Sequence, residues 1–309
     1  MKPTYKGLPL DLIAEPVADP GKYGTWPLGT RAWTWASEAG GSGYVPQGIT
    51  SFRDSDTKED VVLVSWHSAE DTNLPPRLSY LKRAGTHWFY GSALLQGKDV
   101  TPELHAGGIA FFANRLLVAD TNYGLLAFDA TRPSLSGDIL GVWGIQQTGR
   151  FPLAAQIANP PQRKFSFADI DWSEPKRPVL LTGVYASKGD GLQPGLFAWT
   201  LGADGPLIQP PTDCLPCAQE NIETFRYIQG ATRRGDTWYL SQSSDIAAIT
   251  RYDTAPCEAP PPKTPLARCA LGLEDLHIPQ DGRVLRGLTE NVSDEEQKLG
   301  PRLLFEIPL

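Results

Sequence analysis

The sequence predicts an all-β protein, a five-bladed β-propeller in a single domain over residues 1–309, from three observations. Turn-forming and aromatic residues are abundant, with 30 Gly, 28 Pro and 9 Trp, as expected for many short strands. Five segments begin alike, near residues 46, 106, 167, 228 and 273. Each is followed by further apolar runs of strand length, which is typical of propeller blades.

The strands of each predicted blade follow in chain order. The first strands begin PQGITSF, AGGIAFF, FADIDWS, IQGATRR and LEDLHIP, aligned on Ile49, Ile109, Ile170, Ala231 and Leu276. The second strands are predicted from DVVLVSWHS, NRLLVADTN, RPVLLTGVY, DTWYLSQSS and GRVLRGLTEN. The third strands are predicted from RLSYLKR, GLLAFDA, GLFAWTL, IAAITRY and RLLFEIPL. The first blade adds a fourth, THWFYGSALL.

The last blade has no fourth strand of its own, because the sequence stops after RLLFEIPL. The segment TRAWTW, residues 30–35, has strand character and precedes the first blade. We therefore predict that this N-terminal strand forms the outer strand of the last blade and closes the ring. Such pairing would remove an exposed sheet edge. Residues 1–29 are predicted to form an N-terminal extension.

Composition and charge limit the partners. Apolar residues make up 41% of the chain, which suffices for a core, and the formal net charge is -7. An acidic protein is a poor nucleic-acid binder, since that function calls for a basic face. No run of 18 apolar residues occurs, so neither a membrane span nor a membrane partner is expected. We expect a monomer that binds a small-molecule substrate.

Four cysteines occur in Pro-rich connecting segments, at positions 214, 217, 257 and 269. The favoured interpretation is two local disulfides, Cys214–Cys217 and Cys257–Cys269, with free thiols or a zinc site as alternatives. Disulfides would indicate an oxidising compartment. The expected location is therefore extracellular, with a signal peptide absent from this chain, and the cytoplasm is the alternative.

The candidate substrate-binding residues lie where the first strands of a propeller start and the second strands end, around one opening. Apolar runs turn polar or aromatic there at the same point of each repeat. The alternative is that strand ends are polar because they reach water. The residues predicted to bind substrate are Gln47, Trp66, Asp120, Asn122, Tyr185, Gln229, Gln242 and Glu290.

Two adjacent carboxylates, Glu274 and Asp275, stand among apolar neighbours at the start of the fifth first strand. Burying them is costly unless they are paired, protonated or bound to a cation. Together with Asp169 they form a candidate Ca²⁺ site, since Ca²⁺ prefers oxygen ligands. The alternative is a carboxylate that accepts backbone N–H bonds inside the channel. No other cofactor is expected.

The candidate catalytic residues are His105, Glu274, Asp169 and His67. His105 lies where the second first strand enters the channel, and His67 follows Trp66 at a strand end. An imidazole near its ordinary pKa can act as a general base. His87 and His277 are interpreted as ordinary strand residues. No GxSxG, HExxH or phosphate-binding fingerprint occurs in a suitable context.

Two resemblances follow from these segments. The chain resembles a family of uncharacterised secreted actinobacterial proteins from about residue 30 to the end. The resemblance is carried by the segments LHAGGI, LLVADTNYGLLAFD, KFSFADID, IQGATRRGDTWYLSQS and LEDLHIPQDGRVL. GLEDLHIPQDGRVL and VPQGITSFRDSDTKEDVVLVSWH resemble the paraoxonase and lactonase propellers. The second resemblance implies a Ca²⁺-binding Glu-Asp pair, here Glu274 and Asp275. It also implies six blades, whereas this sequence shows five.

The function that these observations favour is a small-molecule hydrolase. Its site would lie at the channel opening, where a cation at Glu274 would polarise an ester or lactone carbonyl and His105 or a carboxylate would activate water. One alternative is a metal-free isomerase or cyclase of a biosynthetic pathway, using the same groups. The other is a non-catalytic propeller that binds carbohydrate or peptide on exposed aromatic rings.

Overall fold

The computed structural model of the protein consists of short β-strands and one 3-10 helix in the residues that it describes. These residues are 4–35, 43–68, 72–120, 124–135, 142–151, 165–187, 195–202, 213–215, 227–243, 247–253, 264–269, 272–290 and 301–309. Across these ranges, no helix has the length and apolar character that a membrane span requires. The predicted disulfides concern cysteine side chains that lie outside the described residues.

The N-terminal segment contributes five short strands. They are β1 (Thr4–Tyr5), β2 (Leu8–Pro9), β3 (Leu12–Pro16), β4 (Gly24–Thr25) and β5 (Arg31–Thr34), with the 3-10 helix at Pro20–Tyr23 between β3 and β4. The helix begins after Asp19, whose side chain accepts the backbone N–H of Gly21 and so caps it.

From residue 44 onward the described strands form successive meanders, which we call units 1 to 5, and the strands within each unit pair antiparallel. Unit 1 contains β6 (Tyr44–Arg53), β7 (Asp60–Ser68), β8 (Arg77–Ala84) and β9 (His87–Gln96). Unit 2 contains β10 (Ile109–Phe112), β11 (Arg115–Asp120), β12 (Gly124–Phe128) and, beyond the short β13 (Ser134–Leu135), β14 (Trp143–Phe151). Unit 3 contains β15 (Phe165–Asp171), β16 (Val179–Val184), β17 (Gly195–Thr200) and β18 (Asp213–Leu215).

The last two units draw on the N-terminal segment. Unit 4 contains β19 (Ile228–Arg234), β20 (Thr237–Gln242), β21 (Ala247–Tyr252) and β22 (Thr264–Cys269), and β4 pairs with β22 at its edge. Unit 5 contains β23 (Gly272–His277), β24 (Val284–Glu290) and β25 (Leu303–Pro308). The architecture is therefore all-β and propeller-like.

The predicted pairing between the two ends of the chain is confirmed. Strand β5 pairs antiparallel with β25, with Thr34 opposite Leu303 and Arg31 opposite Glu306. Residues 1–29 are more than an extension, because β3 pairs with both β5 and β9 and so joins unit 5 to unit 1. The N-terminal segment also places Tyr5 and Leu8 in the core.

The first strands of the five units surround the centre. Each contacts its neighbours, and β23 contacts β6 to complete the circuit. Their approach is close enough to require glycine. A Cβ atom on Gly108 of unit 2 would lie 2.3 Å from the Cα atom of Phe167 in unit 3. A Cβ atom on Gly230 would lie 2.6 Å from the backbone nitrogen of Leu276. The centre is thus tightly packed at this level.

Candidate active site

Asp275 lies fully buried at the centre, where it binds backbone rather than facing an opening. Its carboxylate accepts the backbone N–H of Ile49 at 3.1 Å and that of Leu276 at 3.0 Å. The backbone N–H of Ile109 also hydrogen-bonds to it. This arrangement is the alternative to a Ca²⁺ site, in which a carboxylate accepts backbone N–H bonds inside the channel. Asp275 therefore ties the first strands of units 1, 2 and 5 together.

Asp169 also lies inside the channel and is fully buried. Its two oxygens contact the Nδ1 atom of His277 at 2.7 Å and the Oγ1 hydroxyl of Thr232, which donates at 2.5 Å. The sequence predicted Asp169 as a Ca²⁺ ligand and a catalytic residue at the channel opening, whereas its carboxylate contacts His277 and Thr232 inside the channel. We call Asp169 and Asp275, with the inner-strand backbone that they contact, the plug.

The plug does not fit the predicted Ca²⁺ set. The oxygens of Asp275 accept backbone N–H groups, and those of Asp169 are shared with His277 and Thr232. Glu274 projects elsewhere, as strand alternation requires of neighbouring residues. In the part of the chain that the structure describes, no group of three or more His, Cys, Asp or Glu residues could hold a metal ion. No chemical step is therefore assigned to a metal.

Burial governs the ionisation of the plug. Desolvation raises the pKa of Asp275 well above its ordinary value, and the neighbouring charge of Asp169 raises it further. Burial also raises the pKa of Asp169, while the charge and hydrogen bond of His277 act in the opposite direction.

Next to the plug, where β23 starts and β24 ends, Glu274 and Glu290 form a hydrogen-bonded carboxyl pair. Burial raises the pKa of Glu274 well above its ordinary value, and Glu290 and then Asp275 raise it further. Two carboxyl groups in contact cannot both ionise easily, so Glu290 disfavours the ionisation of Glu274. Gln229 donates its Nε2 group to Glu274 at 3.3 Å, and Gln47 donates to Glu290 at 3.1 Å.

Gln47 has a second feature that bears on ligand binding. Its side chain is buried, and its Oε1 atom has no hydrogen-bond partner among the described residues. A buried amide oxygen without a partner costs free energy, about 1–3 kcal/mol for a typical group. Gln47 therefore holds Glu290 in place while keeping one acceptor available beside it.

Two histidines and an arginine complete this end of the channel. The rings of His67 and His105 lie with centroids 4.6 Å apart. Burial lowers the pKa of His67 to about 4, with contributions from His105 and Arg302, and burial also lowers the pKa of His105. Both imidazoles are therefore neutral at pH 7. Arg302, which sequence reasoning missed, interacts electrostatically with both Glu290 and His67 and donates to the backbone oxygen of Tyr44 at 2.5 Å.

We call Gln47, His67, His105, Gln229, Glu274, Glu290 and Arg302 the mouth cluster. These seven residues come from units 1, 4 and 5 and from the segment before β10, and six of them lie near strand starts or ends, as the alignment predicts. Arg302 carries no motif, and it precedes β25 in a segment without alternation. Its only sequence signal is a position beside the strand that closes the ring.

The other predicted binding residues lie in different settings. Trp66 is fully buried and donates its Nε1 group to the Oγ atom of Ser79 at 2.9 Å, so it belongs to the core of unit 1 and not to an opening. Asp120 is buried at the end of β11. Tyr185 and Gln242 are half-buried, and Tyr185 packs edge-on against Tyr227. Asn122 lies outside the described residues.

Comparison with known proteins supports the fold. No protein-family model matches the sequence, and no curated protein does either. The structure is similar to the crystal structure of an endo-arabinase from Bacteroides thetaiotaomicron VPI-5482, with a TM-score of 0.51 and 13% identity over 85% of this chain and 93% of that one. It also matches the Dos1 propeller, with a TM-score of 0.35 and 11% identity over 90% of this chain and 63% of that one.

Proposed function

We propose that the five units are the blades of a five-bladed propeller and that the mouth cluster is the active site of a small-molecule hydrolase for esters or lactones. The observation that carries this proposal is the carboxyl pair of Glu274 and Glu290. Such a pair offers a base and an acid side by side, because ionisation of one carboxyl group raises the pKa of the other.

Glu290 is the reachable member of the pair. It is half-buried, whereas Glu274 is buried beneath it. In the proposed reaction Glu290 takes a proton from water, which attacks the carbonyl carbon. The carboxyl pair then returns a proton to the leaving oxygen as the C–O bond breaks. Arg302, which interacts with Glu290, would stabilise negative charge on the carbonyl oxygen.

The closeness of the two carboxyl groups favours carbonyl chemistry over glycoside cleavage. In glycoside hydrolases the two carboxyl groups stand about 5–9.5 Å apart, so that a sugar carbon or a water fits between them. Glu274 and Glu290 are joined by a hydrogen bond, which requires a shorter separation. The likeness to an endo-arabinase nevertheless makes arabinan oligosaccharides a useful comparison substrate.

The test is a hydrolysis screen on lactones, alkyl esters and arabinan oligosaccharides. We expect the wild type to hydrolyse esters or lactones, and the Glu290→Gln variant to lose at least about 100-fold in kcat/KM. Glu59→Gln is the matched control, since Glu59 is an exposed glutamate paired with Lys82.

Two outcomes would overturn the proposal. One is an equal rate in the wild type and the Glu290→Gln variant. The other is binding of these compounds by the wild type without turnover, which would favour a non-catalytic binding propeller. Rearrangement of a bound lactone without uptake of water would point to the isomerase alternative.

A further inference from the structure

Asp169 of the plug forms a continuous hydrogen-bonded chain with His277 and Ser51. The Oγ atom of Ser51 lies 2.8 Å from Nε2 of His277, and Nδ1 of His277 lies 2.7 Å from Oδ1 of Asp169. The residues come from the first strands of units 1, 5 and 3. These are the contacts and the order of a nucleophilic serine, a base and an orienting carboxylate.

Burial decreases along this chain toward Ser51, because a nucleophile must be accessible to its substrate. Asp169 and His277 are buried, and Ser51 is partly exposed. Asp169 also receives the hydroxyl of Thr232 and the backbone N–H of Ile170. A carboxyl group that accepts two such donors serves as the acceptor for His277 as well. His277 then donates through Nδ1, which leaves Nε2 to accept the proton of Ser51.

Ser51 opens into a cavity of about 650 Å³, a size found among small-molecule sites, which span about 300–1,000 Å³. Aromatic side chains dominate its apolar wall, namely Phe52, Phe111, Phe112 and Trp172. Phe52 and Phe111 are stacked with centroids 4.1 Å apart. None of the residues that line this cavity belongs to the mouth cluster.

We propose that Ser51 is the nucleophile of a second site, which transfers acyl groups from esters that carry an apolar, ring-sized group. The Ser51 oxygen bonds to the ester carbonyl carbon, and its proton passes to Nε2 of His277. That proton then goes to the departing alcohol as the ester C–O bond breaks. Water attacks the acyl-Ser51 ester and gives its proton to His277, which returns it to Ser51 as the acid leaves. Asp169 and Thr232 are positioning residues.

The experiment is labelling of the folded protein with a fluorophosphonate, followed by intact mass and peptide mapping. We expect one adduct on Ser51 and a burst of p-nitrophenol from p-nitrophenyl benzoate. Ser51→Ala should abolish both the adduct and the burst, whatever steady-state turnover the mouth cluster retains. Ser55→Ala is the matched control, because Ser55 is exposed on the adjoining turn and bonds to Asp56 instead of a histidine.

Further variants separate this site from the mouth cluster. Glu290→Gln should leave labelling of Ser51 unchanged, even where it abolishes turnover at the mouth. Asp169→Asn should slow labelling and lower kcat more than it raises KM. A folded wild type whose Ser51 remains unlabelled at pH 8, or is labelled no faster than Ser55, would overturn the proposal. The three residues would then serve only to clamp the inner strands.

Discussion

The backbone N–H of Ile49 donates to the carboxylate of Asp275 at 3.1 Å, although 226 residues separate them in sequence. The same carboxylate accepts the N–H groups of Leu276 and Ile109. Inner strands of a propeller-like fold present unpaired N–H groups toward the centre, where no water is needed if a side chain accepts them. One buried aspartate therefore performs this task for three units.

Replacement of Asp275 by asparagine is expected to destabilise the protein. The new amide group would place an N–H donor against backbone donors, and one of them would remain unsatisfied. We expect a loss of about 1–3 kcal/mol in the free energy of unfolding, measured by urea denaturation. Asp236→Asn removes one charge at an exposed turn and serves as the control. Equal stability of the two variants would contradict this role.

The carboxyl pair predicts a specific dependence of stability on pH. Because the pKa of Glu274 is raised on folding, the folded state holds a proton that the unfolded state releases above about pH 4.3. The free energy of unfolding should therefore fall as pH rises from this value toward the folded-state pKa. Glu274→Gln removes the titration, so its urea midpoint should fall less between pH 5 and pH 8. Parallel decreases in both proteins would show that Glu274 does not carry the proton.

The imidazole pair gives a prediction for NMR titration. His67 has a pKa of about 4, with burial as the largest cause, followed by His105 and Arg302. His105→Asn should raise this pKa, and Arg302→Gln should raise it by less. Burial remains in both variants, so the pKa should stay below the ordinary value of about 6.5. If the pKa of His67 changes in neither variant, then His105 and Arg302 do not lower it.

Calcium provides the fourth test. The resemblance to paraoxonase and lactonase propellers predicts a stoichiometric Ca²⁺ ion, whereas the hydrogen bonds of Asp169 and Asp275 leave no suitable set of oxygens. We expect elemental analysis to find no stoichiometric Ca²⁺ and EDTA to leave the melting temperature unchanged. A bound ion whose removal lowers the melting temperature would require the plug carboxylates to rearrange.

The sequence predicted the strand order and much of the mouth cluster, because both follow from repeated patterns. Aligned strand starts placed Gln47, Gln229 and Glu274 at one level, and in the structure the two glutamines donate hydrogen bonds to the carboxyl pair that contains Glu274. The alignment of strand ends misplaced Trp66. Its strand is buried on both faces, so a large ring at the strand end had room in the core.

The chain of Ser51, His277 and Asp169 was missed for a different reason. Its members are 108 and 226 residues apart, and no local motif links them. A signal was nevertheless present in the alignment. Asp169 precedes the aligned apolar residue of its strand by one position, His277 follows its own by one, and Ser51 by two. Because these offsets place the three residues at successive depths in the channel, their contact could have been predicted.

The pairing of β5 with β25 has a consequence for synthesis of the chain. Arg31 and Glu306, which are 275 residues apart, form an ion pair across these strands. At about 5–20 residues per second, a ribosome needs roughly 14–55 s to make the intervening chain. Throughout that interval β5 lacks its C-terminal partner, and its edge is open to other chains. Until β25 is synthesised, β3 is the partner strand already available to β5.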